Sequence, residues 1–242
     1  MQRYFINKEQ IEANTCLIEG GDLHHIRDVL RYVPGQKVTI SITGGLTYQG
    51  IIKSIAKDQC IVELQDVIFS SKPDYSLTVA QALIKKDRFE LFLEKSTEFG
   101  VTKIIPTILS RSIIKIDNEK EAKKLERYKK IVKEASEQSQ RFQMPVVEQI
   151  AKLNDIDYGA YDKVIVCYEQ EASTSHIKNL LPTLSMKENM LIIVGPEGGI
   201  TLEEVQFLKT KKASFVSLGH QIFRSESAAI MILAAFMYEW GI

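Results

Sequence analysis

From Leu77 onward, short apolar runs alternate with amphipathic stretches, and no other feature of the chain limits its fold as strongly. Residues 77–83, 103–109, 163–168, 190–194 and 214–218 are rich in branched apolar side chains and too short for helices, so they read as strands covered on both faces. Helical spacing marks 87–99, where Phe89, Phe92, Leu93 and Phe99 share a face. It also marks 119–140, with Leu125, Tyr128, Val132, Ala135 and Ser139 in register. Further helices are expected at 173–184, 202–212 and 225–239. Strand and helix in repeated alternation imply an α/β domain with a mainly parallel sheet.

The first seventy residues differ. Leu23, Ile26, Val29 and Leu30 suggest a short helix over 23–32, ended by Pro34-Gly35. Strand patterns follow at 37–43, 47–55 and 60–68, separated by Gly44-Gly45 and Lys57-Asp58, as in a hairpin-built sheet or small barrel. The polar stretch Ser70-Ser71-Lys72-Pro73-Asp74 marks a boundary, which divides the chain into domains 1–72 and 73–242. A chain of 242 residues, 45% hydrophobic, can bury a core in each. Lys and Arg number 31 and so do Asp and Glu, so any nucleic-acid contact must come from a local patch. Cys16, Cys60 and Cys167 are scattered and, with His24, His25, His176 and His220, compose no metal or disulfide framework, which fits a reducing cytoplasm. Residues 1–12 have no apolar core of a signal peptide, and the apolar run 228–238 is too short to cross a bilayer.

In open α/β sheets, ligands bind beyond the carboxyl ends of strands, which directs attention to the loops after Tyr168, Val194 and Leu218. The first is Glu169-Gln170-Glu171-Ala172. In the second, Val194-Gly195-Pro196-Glu197-Gly198-Gly199-Ile200, Pro196 fixes φ, while Gly198 and Gly199 permit positive φ and close approach of a ligand to bare backbone. Thr201 with Glu204 then forms a capping-box signature. This loop is either a tight connection or a ligand loop; it has neither the Lys-Ser/Thr pair of a P-loop nor the spaced glycines of a dinucleotide fingerprint. The third loop runs over 218–228, where Gly219 follows a strand and Arg224 stands at a helix start. Arg224 is either a surface cation paired with Glu226 or Glu197, or a functional charge, since dipole stability does not place it there. His220 is either a solvated bystander or a general base.

A second signal is basic. Residues 111–141 carry ten Lys or Arg against six acids, either a solvated helix face or an RNA-binding one. Arg111, Gln138 and Arg141 are its candidate RNA contacts, Lys86 belongs to the neighbouring Lys85, Lys86, Arg88 cluster, and Arg3, His24, Arg27 and Arg31 mix cations with aromatics near the N-terminus.

The segments His24 to Arg31, Glu98-Phe99-Gly100-Val101 with Pro106 beyond, Glu134 to Arg141, Val194 to Glu204 and Leu218 to Ala228, in this order along the whole chain, resemble the RsmE family of bacterial methyltransferases, which act on N3 of a uridine in 16S ribosomal RNA. The resemblance implies an N-terminal PUA-like RNA-binding β-barrel over 1–72 and a C-terminal SPOUT domain over 73–242 with a deep trefoil knot. It implies S-adenosylmethionine as cofactor and no metal. The implied substrate is the 3′-terminal decoding region of 16S rRNA on the assembled small ribosomal subunit, and the implied assembly is a cytoplasmic homodimer with its active site at the subunit interface. Tyr168, Val194, Gly195, Pro196, Glu197, Gly198, Gly199, Leu218, Gly219, Ile222, Phe223, Arg224 and Ala228 are then the cofactor-binding positions, with Arg224 and Glu226 as catalytic candidates. Two departures are local. Phe223-Arg224-Ser225-Glu226-Ser227-Ala228 stands where the family usually has Leu-Arg-Thr-Glu-Thr-Ala, and Phe99 stands where Leu is usual. Other readings of the same architecture are methylation of another RNA position or of a ribose 2′-OH, or RNA binding without chemistry.

Overall fold

The computed structural model describes residues 1–69, 73–112, 118–169 and 175–242. The chain forms two compact units, Met1–Lys72 with Ser136–Met144, and Pro73–Ala135 with Pro145–Ile242. Part of the expected boundary, residues 70–72, lies outside the described residues.

The first unit is built on a six-stranded sheet among the described residues. Its strands are β1 (Arg3–Ile6), β2 (Ile11–Glu12), β3 (Thr15–Ile18), β4 (Lys37–Ile42), β5 (Thr47–Ile55) and β6 (Cys60–Phe69), in the order β1-β4-β5-β6-β3-β2. Only β1 and β4 run parallel; the other pairs are antiparallel, with register shifts along β5 that let the sheet curl. Tyr4, Ile6, Ile18, Val38, Ile40, Ile52 and Val62 fill the concave side. The helix expected over 23–32 begins earlier, as α1 (Gly20–His24), and widens into a π-helical turn over His25–Val29. Strands β1 and β3 were not legible in the sequence: their residues alternate too little over four positions to stand out from loop.

The second unit carries a parallel sheet. Strands β7 (Ser76–Ala82), β8 (Lys103–Ile108), β9 (Val146–Val147), β10 (Ala151–Lys152), β11 (Lys163–Cys167), β12 (Asn189–Val194) and β13 (Ser214–Val216) lie in the order β10-β8-β7-β12-β11-β13, with β9 also on β8. Each long strand is buried on both faces, as its apolar composition demands. One face, with Ala80, Ala82, Ile105, Val164, Val166, Leu191 and Ile193, meets Val205 and Leu208 of α5 (Leu202–Thr210). The other lies against α6 (Ser225–Trp240), which packs on α2 (Lys86–Glu98). Phe89, Phe92 and Leu93 of α2 are fully buried, and Phe89 stacks on Tyr128 of α3 (Asn118–Gln138) at 4.6 Å. The helix expected over 173–184 shrinks to α4 (Ile177–Leu180), because Pro182 has no N–H to continue the helical hydrogen-bond ladder, and a 3-10 turn, Leu181–Thr183, takes over. Residues 173 and 174 of that expectation lie outside the described residues.

Sheet order is what makes a site here. β12 lies between β7 and β11, so the ends of β11 and β12 are adjacent, and β13 lies on the far side of β11.

Candidate functional site

The segments leaving β11, β12 and β13 wall a cavity of about 460 Å³, within the range of small-ligand sites. Tyr168 lines it from the first segment, Val194, Gly195, Pro196, Glu197, Gly198 and Gly199 from the second, and Leu218, Gly219, Ile222, Phe223, Arg224 and Ala228 from the third. Residues 170–172 of the first loop lie outside the described residues.

The glycine loop is shaped by contact. The Gly199 amide donates to the Pro196 carbonyl at 2.9 Å, and Gly199 takes φ +74°, a conformation that disfavours any side chain. A Cβ on Gly195 would stand 2.8 Å from Ile200 Cγ1, too close without displacing the core. The loop is also held from several elements. Ser225 Oγ, at the start of α6, donates to the Gly195 carbonyl at 2.5 Å and accepts from Gln81 Nε2 of β7 at 2.7 Å. Arg111 donates to the Gly198 carbonyl at 2.8 Å, and Arg88 of α2 donates to Glu197 Oε1 at 2.8 Å. The Thr201–Glu204 capping box is formed, with the Glu204 amide donating to Thr201 Oγ1 at 3.2 Å.

Arg224 is exposed at the N-cap of α6, with no side-chain hydrogen bond or ion pair among the described residues. Pairing with Glu197 or Glu226 is therefore not its role in this structure; Arg88 takes that place, 2.8 Å from Glu197 Oε1 and 3.9 Å from Glu226 Oε1. Glu226 is 4% exposed and does not line the cavity; its Oε2 is buried without a hydrogen-bond partner among the described residues. His220 is exposed in the cavity wall. Cys167 lies at the cavity floor, where burial pushes the thiol up to about 12, so it stays neutral and is no nucleophile. Ile222, 86% exposed, and Phe223, 37% exposed, leave apolar surface at the rim. No group of three or more His, Cys, Asp or Glu among the described residues could hold a metal ion, and no helix among them is long and apolar enough to cross a membrane.

Arg88 enters the sequence reading only as a member of the Lys85, Lys86, Arg88 basic cluster, whereas the structure places it on the glycine loop. It is 109 residues from Glu197 along the chain, so no local pattern links the two. Its signal was position: it follows β7, the neighbour of β12, just beyond that strand's carboxyl end.

The expected RNA contacts scatter. In the first unit, Arg3 is a correction: at 4% exposure it cannot meet a phosphate. It donates to the Arg141 carbonyl at 2.6 Å, lies over the Phe142 ring and has its pKa lowered by burial, so it acts as an internal brace. Arg27 and His24 both bond Asp28, holding its carboxyl down at about 2, which compensates the Arg27 charge locally. Arg31 and Gln138 are exposed, and Arg141 is half-buried with Nε donating to the Gln143 carbonyl. In the second unit, Lys86 is exposed and Arg111, also exposed, spends one N–H on the glycine loop. Along α3, Arg127 pairs bidentately with Glu90 at 2.5 and 2.7 Å, which takes one cation out of the basic excess, while Lys129 and Lys130 meet Glu126 and Glu134 of the same segment.

A family model described as an RNA methyltransferase domain matches residues 71–237, and one described as an RNA methyltransferase PUA domain matches 18–65. The chain is 34% identical to the ribosomal RNA small subunit methyltransferase E of Bacillus subtilis, over 99% of this chain and 97% of that protein. It is 30% identical to the protein of the same name from Rickettsia conorii, over 96% and 93%. A crystal structure of a ribosomal RNA small subunit methyltransferase E from Neisseria gonorrhoeae, bound to S-adenosyl methionine, is similar with a TM-score of 0.84 and 26% identity, covering 98% of this chain and 97% of that one.

Proposed function

Because the chain belongs to the RNA methyltransferase family, we propose that it transfers a methyl group from S-adenosylmethionine to N3 of a uridine in the 3′-terminal decoding region of 16S rRNA. One observation carries the reading: a cavity walled by three strand-end loops, lined with glycine backbone and edged by an arginine that has no side-chain partner among the described residues. Its size and mixed lining fit the cofactor of the Neisseria relative, and Gly195, Gly198 and Gly199 line it with bare backbone, a Cβ at each being crowded by Ile200, Arg111 or Glu169. The backbone of 195–199, with Leu218, Gly219 and Ile222, would hold the cofactor, and Tyr168, Val194, Phe223 and Ala228 would enclose it. When bound, S-adenosylmethionine supplies the methyl group on a positively charged sulfur.

The residues must then prepare the acceptor. Uridine N3 carries a proton at neutral pH, and losing it spreads negative charge onto O2 and O4. Arg224, exposed at the cavity edge and without a side-chain partner among the described residues, is the cation for those oxygens. Glu226, buried behind the cavity wall, is the candidate proton acceptor through one water, and its Oε2, without a hydrogen-bond partner among the described residues, supports that role. Exclusion of water and alignment do the remaining work, with the uridine unstacked from its neighbours.

Three further parts belong to the reading. The segment after β13 starts beyond β11 and reaches Ser225, bonded to the loop of β12 and to β7; this crossing supports a knotted path around the cofactor loop. Exposed Ile222 and Phe223 support a homodimer in which a second copy covers the rim. The PUA-type unit would bind the RNA of the small subunit, with Arg31, Gln138 and Arg141 as its contacts, and Lys86 and Arg111 would contribute from the second unit, all in the cytoplasm. Nucleoside mass spectrometry of 16S rRNA from a deletion strain tests the whole reading: N3-methyluridine should vanish, while loss of a ribose methylation instead would refute the assigned reaction. Calorimetry with S-adenosylmethionine should show binding, and its absence would leave an RNA-binding protein.

A further inference from the structure

Arg88 lies outside the cavity yet touches carboxylates from both sides of it. Glu197 belongs to the glycine loop after β12, and Glu226 to the first turn of α6, which closes the third segment. Glu226 has no hydrogen-bond partner at Oε2 among the described residues, and the Arg88 guanidinium is its only neighbouring cation within ion-pair distance among them. A buried carboxylate with so little satisfaction is a demanding thing to keep, and a single cation decides where it lies. Arg88 Nη1 donates to Glu197 Oε1 at 2.8 Å while its Nε stands 3.9 Å from Glu226 Oε1, an ion-pair distance without a hydrogen bond, so one planar cation serves both carboxylates. Without it, Glu226 would have no cation within ion-pair distance among the described residues.

We propose that Arg88 is a positioning residue that locks the glycine loop to the first turn of α6, so that filling the loop sets the place of Glu226 and, through the same turn, of Arg224. The proposal rests on reading the cavity as the S-adenosylmethionine site. Arg88 does not touch the reacting atoms; it acts through Glu197 on cofactor affinity and through Glu226 on the rate. The lock has two separable ends, which distinguishes it from a general contribution to stability.

The test uses the full chain and four variants: Arg88→Lys, Glu197→Gln, Glu226→Gln and the double variant Arg88→Lys/Glu197→Gln. Lysine keeps the charge and loses the fork, which limits the risk of unfolding that Arg88→Ala would carry. Cofactor dissociation constants come from calorimetry, and rates from single-turnover methylation of small subunits at saturating cofactor. Arg88→Lys should weaken cofactor binding by about fivefold and slow methylation at saturation by about tenfold, the scale of one lost charge-assisted contact. Glu197→Gln should reproduce the loss of affinity with a smaller effect on rate, and Glu226→Gln the reverse. The double variant should bind cofactor no worse than Arg88→Lys alone. Additive losses in the double variant, or a lysine variant altered in melting temperature but not in affinity or rate, would overturn the lock. A wild-type chain that binds no S-adenosylmethionine would instead overturn the functional reading, and the lock with it; normal wild-type binding with additive variants overturns the lock alone.

Discussion

Replacing Ser225 by alanine removes one oxygen from the point where three elements meet, and the structure sets the size of the effect. Ser225 is 5% exposed; its hydroxyl donates to the Gly195 carbonyl at 2.5 Å and accepts from Gln81 Nε2 at 2.7 Å. Gln81 is fully buried, and its Oε1 already has no hydrogen-bond partner among the described residues. Without the hydroxyl, Gln81 Nε2 keeps only the carbonyl of its neighbour Ala82, at 3.2 Å, and the Gly195 carbonyl loses its side-chain donor. Leaving buried polar groups unsatisfied costs about 1–3 kcal/mol, and the lost volume is too small to add a large cavity cost. At about 3 °C per kcal/mol for a chain of this size, the melting temperature should fall by about 3–9 °C. Cofactor affinity should fall with it, because Gly195 begins the loop that lines the cavity. Differential scanning fluorimetry with and without S-adenosylmethionine measures both effects in one series. A change in stability below about 0.5 kcal/mol would show that Gln81 and Gly195 find other partners, and would refute the claim that Ser225 pins the loop.

Other substitutions probe separate claims. Arg224→Ala should leave melting temperature within about 1 °C, because the side chain is exposed and makes no ion pair among the described residues, yet lower the methylation rate by about 100-fold or more at unchanged cofactor affinity; equal losses of affinity and rate would remove its charge-stabilising role. Gly50→Ala should destabilise the first unit by about 1–3 kcal/mol in denaturant titration, since a Cβ there would lie 2.5 Å from Val62 Cγ1 and 3.1 Å from Ile40 Cγ1, both in fully buried side chains; a neutral result would mean the sheet is more pliant than its packing implies. Arg141→Ala should weaken RNA binding and reduce the slope of log affinity against log salt by about 1, and an unchanged slope would return that residue to solvated surface.

The helices and strands were largely legible where a period ran long enough to register. Phe89, Phe92 and Leu93 announced α2, and the apolar runs at β7, β8, β11 and β12 announced a covered parallel sheet. Legibility failed where few residues carried the pattern or a proline intervened: β1 and β3 are four residues long, and Pro182 shortened the helix before it. The three loops could be named in advance because each follows a buried strand and one holds paired glycines; the capping box fixed where the second of them ends. Charge was the poorest guide. Arg3 and Arg27 look alike in sequence to Arg224, yet Arg3 is buried against Phe142, Arg27 is bound to Asp28, and Arg224 alone of these three has no partner among the described residues.

By itself, then, the sequence determined the strand–helix alternation, the loop that bares its backbone after Val194 and the family to which the motifs belong, because each rests on residues near one another along the chain. Tertiary structure alone decided that β12 enters between β7 and β11, and so which loops meet. It also grouped residues 136–144 with the first unit, where Glu137 accepts from the Phe5 amide and Phe142 stacks on Phe69, although division by sequence leaves them with the second. The Arg88 bridge to Glu197 and Glu226 is of the same kind. Contacts between residues a hundred positions apart depend on closing the chain around a shared core, and no local period records which charges that closure will bring together.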